Sequence, residues 1–157
     1  MNNTQPDICH ISIGTKQDIE TIAKFQVDMA RESEGTTLNY SQVYNGVTAV
    51  MNDATKGTYL IARIDNMAVG SLMLTREWSD WNNRWYWWIQ SVYVKPSCRS
   101  KGIYRAMYDK VKAMAGEQGV TQIRLYVDKN NLSAQTVYHK LGMQECHYLM
   151  YEEEIEL

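Results

Sequence analysis

Ile89-Gln90-Ser91-Val92-Tyr93-Val94-Lys95-Pro96-Ser97-Cys98-Arg99-Ser100-Lys101-Gly102-Ile103-Tyr104-Arg105-Ala106-Met107 is the stretch on which the reading of this chain turns. Its first six residues are rich in β-branched and aromatic side chains and predict a strand. Trp88, Val92 and Val94 fall on one alternating face and Trp87, Ile89 and Tyr93 on the other, so both faces are largely apolar. Such a strand belongs in the middle of a sheet with helices above and below. Pro96 has no N–H to give to a ladder and ends it. A helix is expected to begin near Gly102, because Ile103, Met107, Val111 and Met114 recur at helical spacing.

The junction between that strand and that helix has the makings of an anion site. The first turn of a helix leaves N–H groups without intrahelical partners, and the helix dipole favours negative charge there. Gly102 allows close approach of backbone to a ligand. Arg99, Lys101 and Arg105 add three cations within seven residues. A solvated basic helix start would look the same in isolation; the strand–loop–helix context favours a place for a diphosphate.

These residues resemble the coenzyme A loop of the GNAT superfamily of N-acetyltransferases, which reads Arg/Gln-x-x-Gly-x-Gly/Ala after a strand ending in Val-x-Pro. Val94-Lys95-Pro96, Arg99 and Gly102 match, whereas Tyr104 stands where the family has Gly or Ala. Tyr104 could crowd a diphosphate or turn its ring onto the packed face of the helix. Further on, Asn131-Leu132-Ser133-Ala134-Gln135-Thr136-Val137-Tyr138-His139-Lys140-Leu141-Gly142-Met143 resembles the family's Asn-x-x-Ala-x-x-x-Tyr-x-Lys-x-Gly-Phe helix, with Met143 in place of Phe. Two motifs in order, separated by a helix and a strand, are far more specific than either alone. The resemblance is good from residue 58 to 157 and holds only in outline before that.

The resemblance implies a single GNAT-like domain over residues 1–157. Its fold class would be α+β, with a central mixed, mostly antiparallel sheet, splayed middle strands and helices on both faces. It implies an acetyl-CoA-dependent N-acetyltransferase with an acyl-pantetheine arm between the strands at 86–94 and 122–127. Cofactor contacts would come from the backbone of Val92 and Val94, from Arg99, Ser100, Lys101, Gly102, Ile103 and Tyr104, and from Asn131 and Ser133. The amide of Val92 would stabilise the thioester oxygen. Tyr138 would be the general acid for the departing thiolate, since a phenol with an ordinary pKa of about 10 is protonated at neutral pH. Read on its helix alone, Tyr138 is a core residue; the motif match reverses that preference.

Direct attack of an amine on a thioester needs a proton acceptor. In the histone-acetylating branch a glutamate lies four positions before the oxyanion residue, and Trp88 stands there instead. Glu77 is the first choice for the base, with Asp80, Glu32 and Glu34 in neighbouring segments and proton loss to water as the alternative. All five tryptophans, 78, 81, 85, 87 and 88, lie within eleven residues. Trp87 and Trp88 read as strand core. Trp78 and Trp81, beside Glu77 and Asp80, either hold a cation against aromatic faces or staple a polar loop to the sheet. With Glu34 they form the expected acceptor site, for a small cationic primary amine or polyamine; an aminoglycoside or peptide amine fits as well. Two other readings remain, a catalytically silent acyl-CoA-binding module and a protein-interaction domain with the tryptophan loop as the contact of a homodimer.

At 157 residues the chain suits one domain. A net charge of −2 gives no general electrostatic drive toward nucleic acid. No apolar run approaches the roughly 20 residues of a membrane helix, and the polar start Met1-Asn2-Asn3-Thr4-Gln5-Pro6-Asp7 has no signal-peptide pattern. Cys9, Cys98 and Cys146 are too few and too scattered for a disulfide framework or metal cluster. No metal and a cytoplasmic location are therefore expected.

In chain order, the expected elements begin with a strand over Ile8–Ile13 and a helix capped by Thr15 with Asp18. That helix carries a stripe of Ile19, Ile22, Ala23 and Ala30, and is ended by Arg31-Glu32-Ser33-Glu34-Gly35. A second helix presents Val43, Val47, Val50 and Met51. Strands Thr58–Ile64 and Met67–Thr75 are joined by an Asp65-Asn66 turn. A polar connection from Glu77 to Arg84 leads to the central strand. Gly119 stops the central helix. A strand over Gln122–Val127 follows, then a helix capped by Ser133 with an inner face of Ala134, Val137, Tyr138 and Leu141, and a last strand over residues 144–151.

Overall fold

The computed structural model describes residues 8–156. They fall into two compact units, one running to Tyr126 and one beginning at Val127.

In the first unit, five strands lie in the sheet order β1-β2-β3-β4-β5: β1 (His10–Ile13), β2 (Thr58–Ile64), β3 (Met67–Ser79), β4 (Arg84–Val94) and β5 (Gln122–Arg124). The first four pair antiparallel and β5 joins β4 in parallel, so the sheet is mixed and mostly antiparallel, as expected. Three helices accompany it: α1 (Ile19–Glu34), α2 (Tyr40–Asn52) and α3 (Ile103–Glu117).

Both faces of the sheet are buried, which explains the doubly apolar strands. Tyr59 and Ile61 of β2 pack with Ile19, Ile22 and Ala23 of α1 and Val47 of α2, and Met73 of β3 joins them. The alternate residues Leu60, Ala62, Leu72 and Leu74 point the other way and are equally buried. Ile103, Met107 and Val111 line the buried side of α3, with Ala115 rather than Met114 completing the stripe.

Local signals behave as their chemistry dictates. Asp65 and Asn66 both have positive φ, 49° and 64°, the conformation of a tight hairpin turn that these side chains tolerate. Asp18 accepts from the Thr15 N–H at 2.8 Å and pairs with Arg63 of β2, tying the start of α1 to the sheet. Gly35 ends α1 in the left-handed region at φ 62°, one residue beyond Glu34. Gly119, at φ 68°, follows the end of α3.

Other expectations need correction. Residues 77–84 are not a polar connection: β3 runs to Ser79 and β4 starts at Arg84, so only residues 80–83 turn. Polar residues are held extended there because each has a partner, Glu77 opposite Tyr86 and Trp78 opposite Trp85. The opening strand starts at His10 rather than Ile8, where pairing with Arg63 begins. The strand expected to reach Val127 ends at Arg124, where its pairing with Trp88 ends.

Ile89 and Tyr93 do not share a face. Ile89 lies opposite Leu74, on the α3 side, whereas Tyr93 lies opposite Ser71, on the side of α1, where its ring sits 5.0 Å from that of Phe25. Between them β4 carries one residue more than β3, and Ser91 at φ 53° absorbs it. A bulge of this kind reverses the inside–outside phase of everything beyond it.

The second unit holds α4 (Leu132–Lys140). Its N-cap is Asn131, whose Oδ1 accepts from the Ala134 N–H at 3.1 Å; Ser133, the expected cap, lies within the helix. No residue of α4 is fully buried, although Ala134 and Tyr138 are half-buried, so the expected inner face is only partly covered. Residues 144–151 form no strand. Their apolar side chains Tyr148, Leu149, Met150 and Tyr151 are exposed. Strand propensity has no effect without a ladder partner.

Candidate active site

β4 ends at Val94, and a short helical turn, Pro96–Cys98, carries the chain into the loop before α3. Ser100 (φ 60°) and Gly102 (φ 79°) are both left-handed and flank Lys101. A turn in which left-handed residues alternate with a residue of negative φ can bring successive backbone N–H groups to one side, an anion-binding concavity. Gly102 is the N-cap of α3 and has no side chain with which to cap it. A Cβ placed there would meet nothing within 4 Å, so the space before the helix start is open. Ile103 anchors the loop by burying its side chain, while Lys101 and Arg105 are exposed beside it. This donor set of backbone amides and two cations fits the diphosphate of a nucleotide. The Tyr104 ring stacks on Tyr108 one turn along α3, with centroids 6.2 Å apart, and so packs on the helix's own surface.

Arg99 has other contacts. Its Nε donates to the Val94 carbonyl at 2.8 Å, and its guanidinium pairs with Glu32 near the end of α1. The same guanidinium lies 5.6 Å from the centre of the Tyr93 ring, whose hydroxyl donates to Glu32 at 3.3 Å. Burial first, and then the charge of Glu32, push the Tyr93 phenol above its ordinary pKa. Arg99, itself exposed, thus clamps the loop to β4 and α1, and Lys101 and Arg105 are two further exposed cations at the helix start.

The central strand opens beside this loop. β5 pairs with β4 only at residues 86–88, and residues 89–94 of β4 have no β5 partner. Lys95 N donates to Val69 of β3 at 2.8 Å; by alternation, the backbone groups of Val94 and Val92 face away from β3, into the wedge that β5 leaves. The Val94 carbonyl receiving Arg99 agrees with that orientation.

At the closed end of the wedge lies a cluster that the sequence did not disclose. Glu77 accepts from the Trp88 indole N–H at 2.8 Å and from Arg124 Nη1 at 3.0 and 3.2 Å. The Arg124 guanidinium lies 4.6 Å from the centre of the Tyr86 ring. Gln90 Nε2 donates to Thr75 on the same face at 2.6 Å. Thr75, Glu77, Trp88 and Gln90 are half-buried, on the same face of the sheet as Met73, which packs against α1 and α2. Arg124 went unremarked in the sequence because its partner is 47 residues away and only strand register joins them.

The remaining candidates lie elsewhere. Trp78 belongs to β3 rather than to a loop, and meets Trp85 edge to face at 5.0 Å. Trp81 stands at the hairpin tip, 89% exposed, and Asp80 accepts from the Trp81 backbone N–H at 3.0 Å. Glu34 is exposed in the last turn of α1. In the second unit Asn131 is occupied as a helix cap, and burial raises the Tyr138 phenol above its ordinary pKa. Among the described residues, no group of three or more His, Cys, Asp or Glu could hold a metal, and no helix is long and apolar enough to cross a membrane.

Comparison with known proteins adds family context to this geometry. Residues 21–143 match the model of the acetyltransferase (GNAT) family. The crystal structure of a possible acetyltransferase from Clostridium difficile 630 superposes with a TM-score of 0.89 at 38% identity, covering 96% of this chain and 99% of that one. A predicted acetyltransferase with acetyl-CoA from Clostridium acetobutylicum shares the fold, with a TM-score of 0.75 at 18% identity over 93% of this chain and 96% of its own. A curated relative, thialysine N-epsilon-acetyltransferase of Bos taurus, is 35% identical over 68 residues, 43% of this chain; the match spans 39% of that relative's length.

Proposed function

The chain belongs to the acetyltransferase (GNAT) family, and from that premise we propose that it moves an acetyl group from acetyl-CoA to a primary amine of a small cationic acceptor. The observation that carries the proposal is the left-handed Ser100–Gly102 loop at the start of α3, next to a central strand that β5 leaves unpaired. The Bos taurus relative, by name an N-epsilon-acetyltransferase of thialysine, supports an amine as acceptor. The family match continues past Tyr126, which supports one catalytic domain over residues 1–157.

Acetyl-CoA, when bound, supplies the acetyl group as an activated thioester. The amides of Ser100, Lys101, Gly102 and Ile103, with Lys101 and Arg105, hold its diphosphate. Val94 pairs with the pantetheine amide, and the Val92 N–H donates to the carbonyl oxygen as negative charge builds on it. Glu77 would receive the ammonium and take one of its protons, so that the freed amine nitrogen could bond to the carbonyl carbon as the carbon–sulfur bond breaks; the second nitrogen proton would pass to solvent as the amide forms. Tyr138 gives its proton to the leaving sulfur. Its raised pKa keeps the phenol in the donor form across neutral pH. Alignment is the main contribution, up to roughly 7–11 kcal/mol in ideal intramolecular systems.

The test is release of free thiol from acetyl-CoA in the presence of thialysine, polyamines, aminoglycosides and peptide amines. Turnover with at least one amine, with the acetylated product identified by mass, is expected. Tight CoA binding with no turnover on any amine would instead make the protein a silent acyl-CoA-binding module. The joint exposure of Trp78, Trp81 and Trp85 on the β3–β4 hairpin favours one addition, a homodimer contact through the hairpin tip. Sedimentation of Trp81→Ala checks it: a fall from dimer to monomer mass is expected, and an unchanged mass removes the contact.

A further inference from the structure

We propose that Arg124 is the positioning residue for Glu77, holding its carboxylate over β4 at the closed end of the wedge; the inference rests on the acetyl-transfer reading above. Neighbouring strands lie about 4.8 Å apart, so β3 and β5 are separated by about 10 Å with β4 between them. Glu77 and Arg124 can meet only by leaning over β4, and they meet above Tyr86 and Trp88. All four share one face of the sheet: Glu77 is opposite Tyr86, Thr75 is opposite Trp88, and Trp88 is in register with Arg124.

The guanidinium is fixed on three sides. Nη1 donates to both Glu77 oxygens, Nη2 and Nε donate to Gln122 Oε1 at 3.0 and 3.2 Å, and its flat side rests on Tyr86. Trp88 supplies a second donor to Glu77 from a different strand. Two donors from two strands hold a carboxylate that comes from a third. An exposed ion pair serving stability alone contributes about 0–1 kcal/mol and needs neither the aromatic support nor the Gln122 brace.

The consequence concerns the reaction. The position four residues before Val92 is Trp88, with no carboxylate of its own, and Glu77 brings one to that place from β3. Arg124 sets where it sits. Without the guanidinium the glutamate keeps only the Trp88 N–H, a single donor that fixes one oxygen but not the orientation of the carboxylate, and misplacement by an ångström can lower a rate about 100-fold.

The experiment compares the full-length wild type, Glu77→Gln, Arg124→Gln, Arg124→Lys and the Glu77→Gln/Arg124→Gln double variant. Thialysine and spermidine serve as acceptors, and melting curves are recorded alongside. Arg124→Gln is expected to lower kcat/KM for the acceptor about 100-fold while leaving KM for acetyl-CoA within about twofold. Arg124→Lys should recover part of the loss, and the double variant should be no worse than Glu77→Gln alone. Losses that multiply in the double variant, or unchanged kinetics in Arg124→Gln, would overturn the proposal. Should Arg124→Gln fail to fold, Gln122→Ala loosens the same guanidinium and must show a smaller loss of the same kind.

An activity-independent measurement separates this inference from the transfer reading. In a proton–nitrogen correlation spectrum the Trp88 indole signal, identified by its loss in Trp88→Phe, should shift and exchange faster with solvent in Arg124→Gln. If no amine is acetylated, the transfer reading falls and this signal still decides whether Arg124 holds Glu77; an unmoved signal means that it does not.

Discussion

Replacing Gly102 by Asp tests the diphosphate site, because charge, bulk and backbone strain can be separated at this position. Gly102 has φ 79°, and a Cβ there meets no heavy atom within 4 Å. Substitution therefore brings no clash, only the cost of a left-handed side-chain residue, about 1–2 kcal/mol and less for Asn or Asp. That cost falls on folding and is shared by Gly102→Asn, the neutral twin. What Asp alone adds is one negative charge at the helix start. At about 5 Å from each of two phosphate charges in a water-like dielectric, the repulsion is about 0.8 kcal/mol per charge, or about 1.7 kcal/mol in all. Coenzyme A should bind Gly102→Asp about 15–20-fold more weakly than Gly102→Asn. Partial exclusion of water from the loop would widen the gap.

Calorimetric titration with CoA measures this, and pantetheine, which lacks the diphosphate, is the control. The two variants should bind pantetheine alike, and their difference for CoA should shrink at about 0.5 M salt as the charges are screened. Equal CoA affinity for Asp and Asn at low salt would refute the reasoning, since no negative group could then lie near the Ser100–Gly102 amides.

Tyr138→Phe should lower kcat about 100-fold or more, the usual contribution of a positioned acid, with CoA affinity within about twofold. Because burial raises the Tyr138 phenol, its donor form persists to higher pH than an ordinary tyrosine's. The alkaline fall in wild-type kcat should therefore lie above about pH 10 and vanish in Tyr138→Phe; a fall centred on neutral pH that disappears with the phenol would contradict the assignment. Burial likewise raises Tyr59 to about 12. The folded state then holds that proton more tightly than the unfolded chain, so its contribution is whole below about pH 10 and is lost as pH rises toward 12, by about 2–3 kcal/mol. Urea titrations across that range should show Tyr59→Phe losing less stability than wild type; parallel losses would exclude Tyr59 as the source.

What the sequence made legible was local. The Val-x-Pro strand end, the glycine before Ile103 and the Asp65-Asn66 turn each depend on chemistry within a few residues, and each forms as read; the expected Thr15 cap starts a 3-10 turn, Lys16–Asp18, and α1 itself is capped by Asp18. The errors lie where a residue's state depends on a distant partner. Glu77–Ser79 looked like part of a polar connection and is strand, because Arg84–Tyr86 lies opposite. Residues 144–151 looked like a strand and have no ladder. Asn131 and Ser133 are both cap-forming types two positions apart, and only the helix start distinguishes them. The Glu77–Arg124 pair needs the register of three strands before it can be seen at all.

The Ser91 bulge shows why a central strand can mislead while its ends are read correctly. Uninterrupted alternation placed Ile89 and Tyr93 together, and the two polar residues between them, Gln90 and Ser91, fell one on each face and so pointed to neither phase. With one residue inserted, Ile89 faces the α3 side while Tyr93 faces α1 and reaches Glu32, through which Arg99 is held. The same insertion lies one residue before Val92 and three residues beyond Trp88, the last residue that β5 pairs. Three requirements thus meet in one residue with positive φ: a strand that stays buried on both faces, a loop clamped to α1, and backbone amides turned into an open wedge. A regular strand could satisfy the first. It would send Tyr93 to the α3 side, away from Glu32, and the clamp on Arg99 would lose its α1 end.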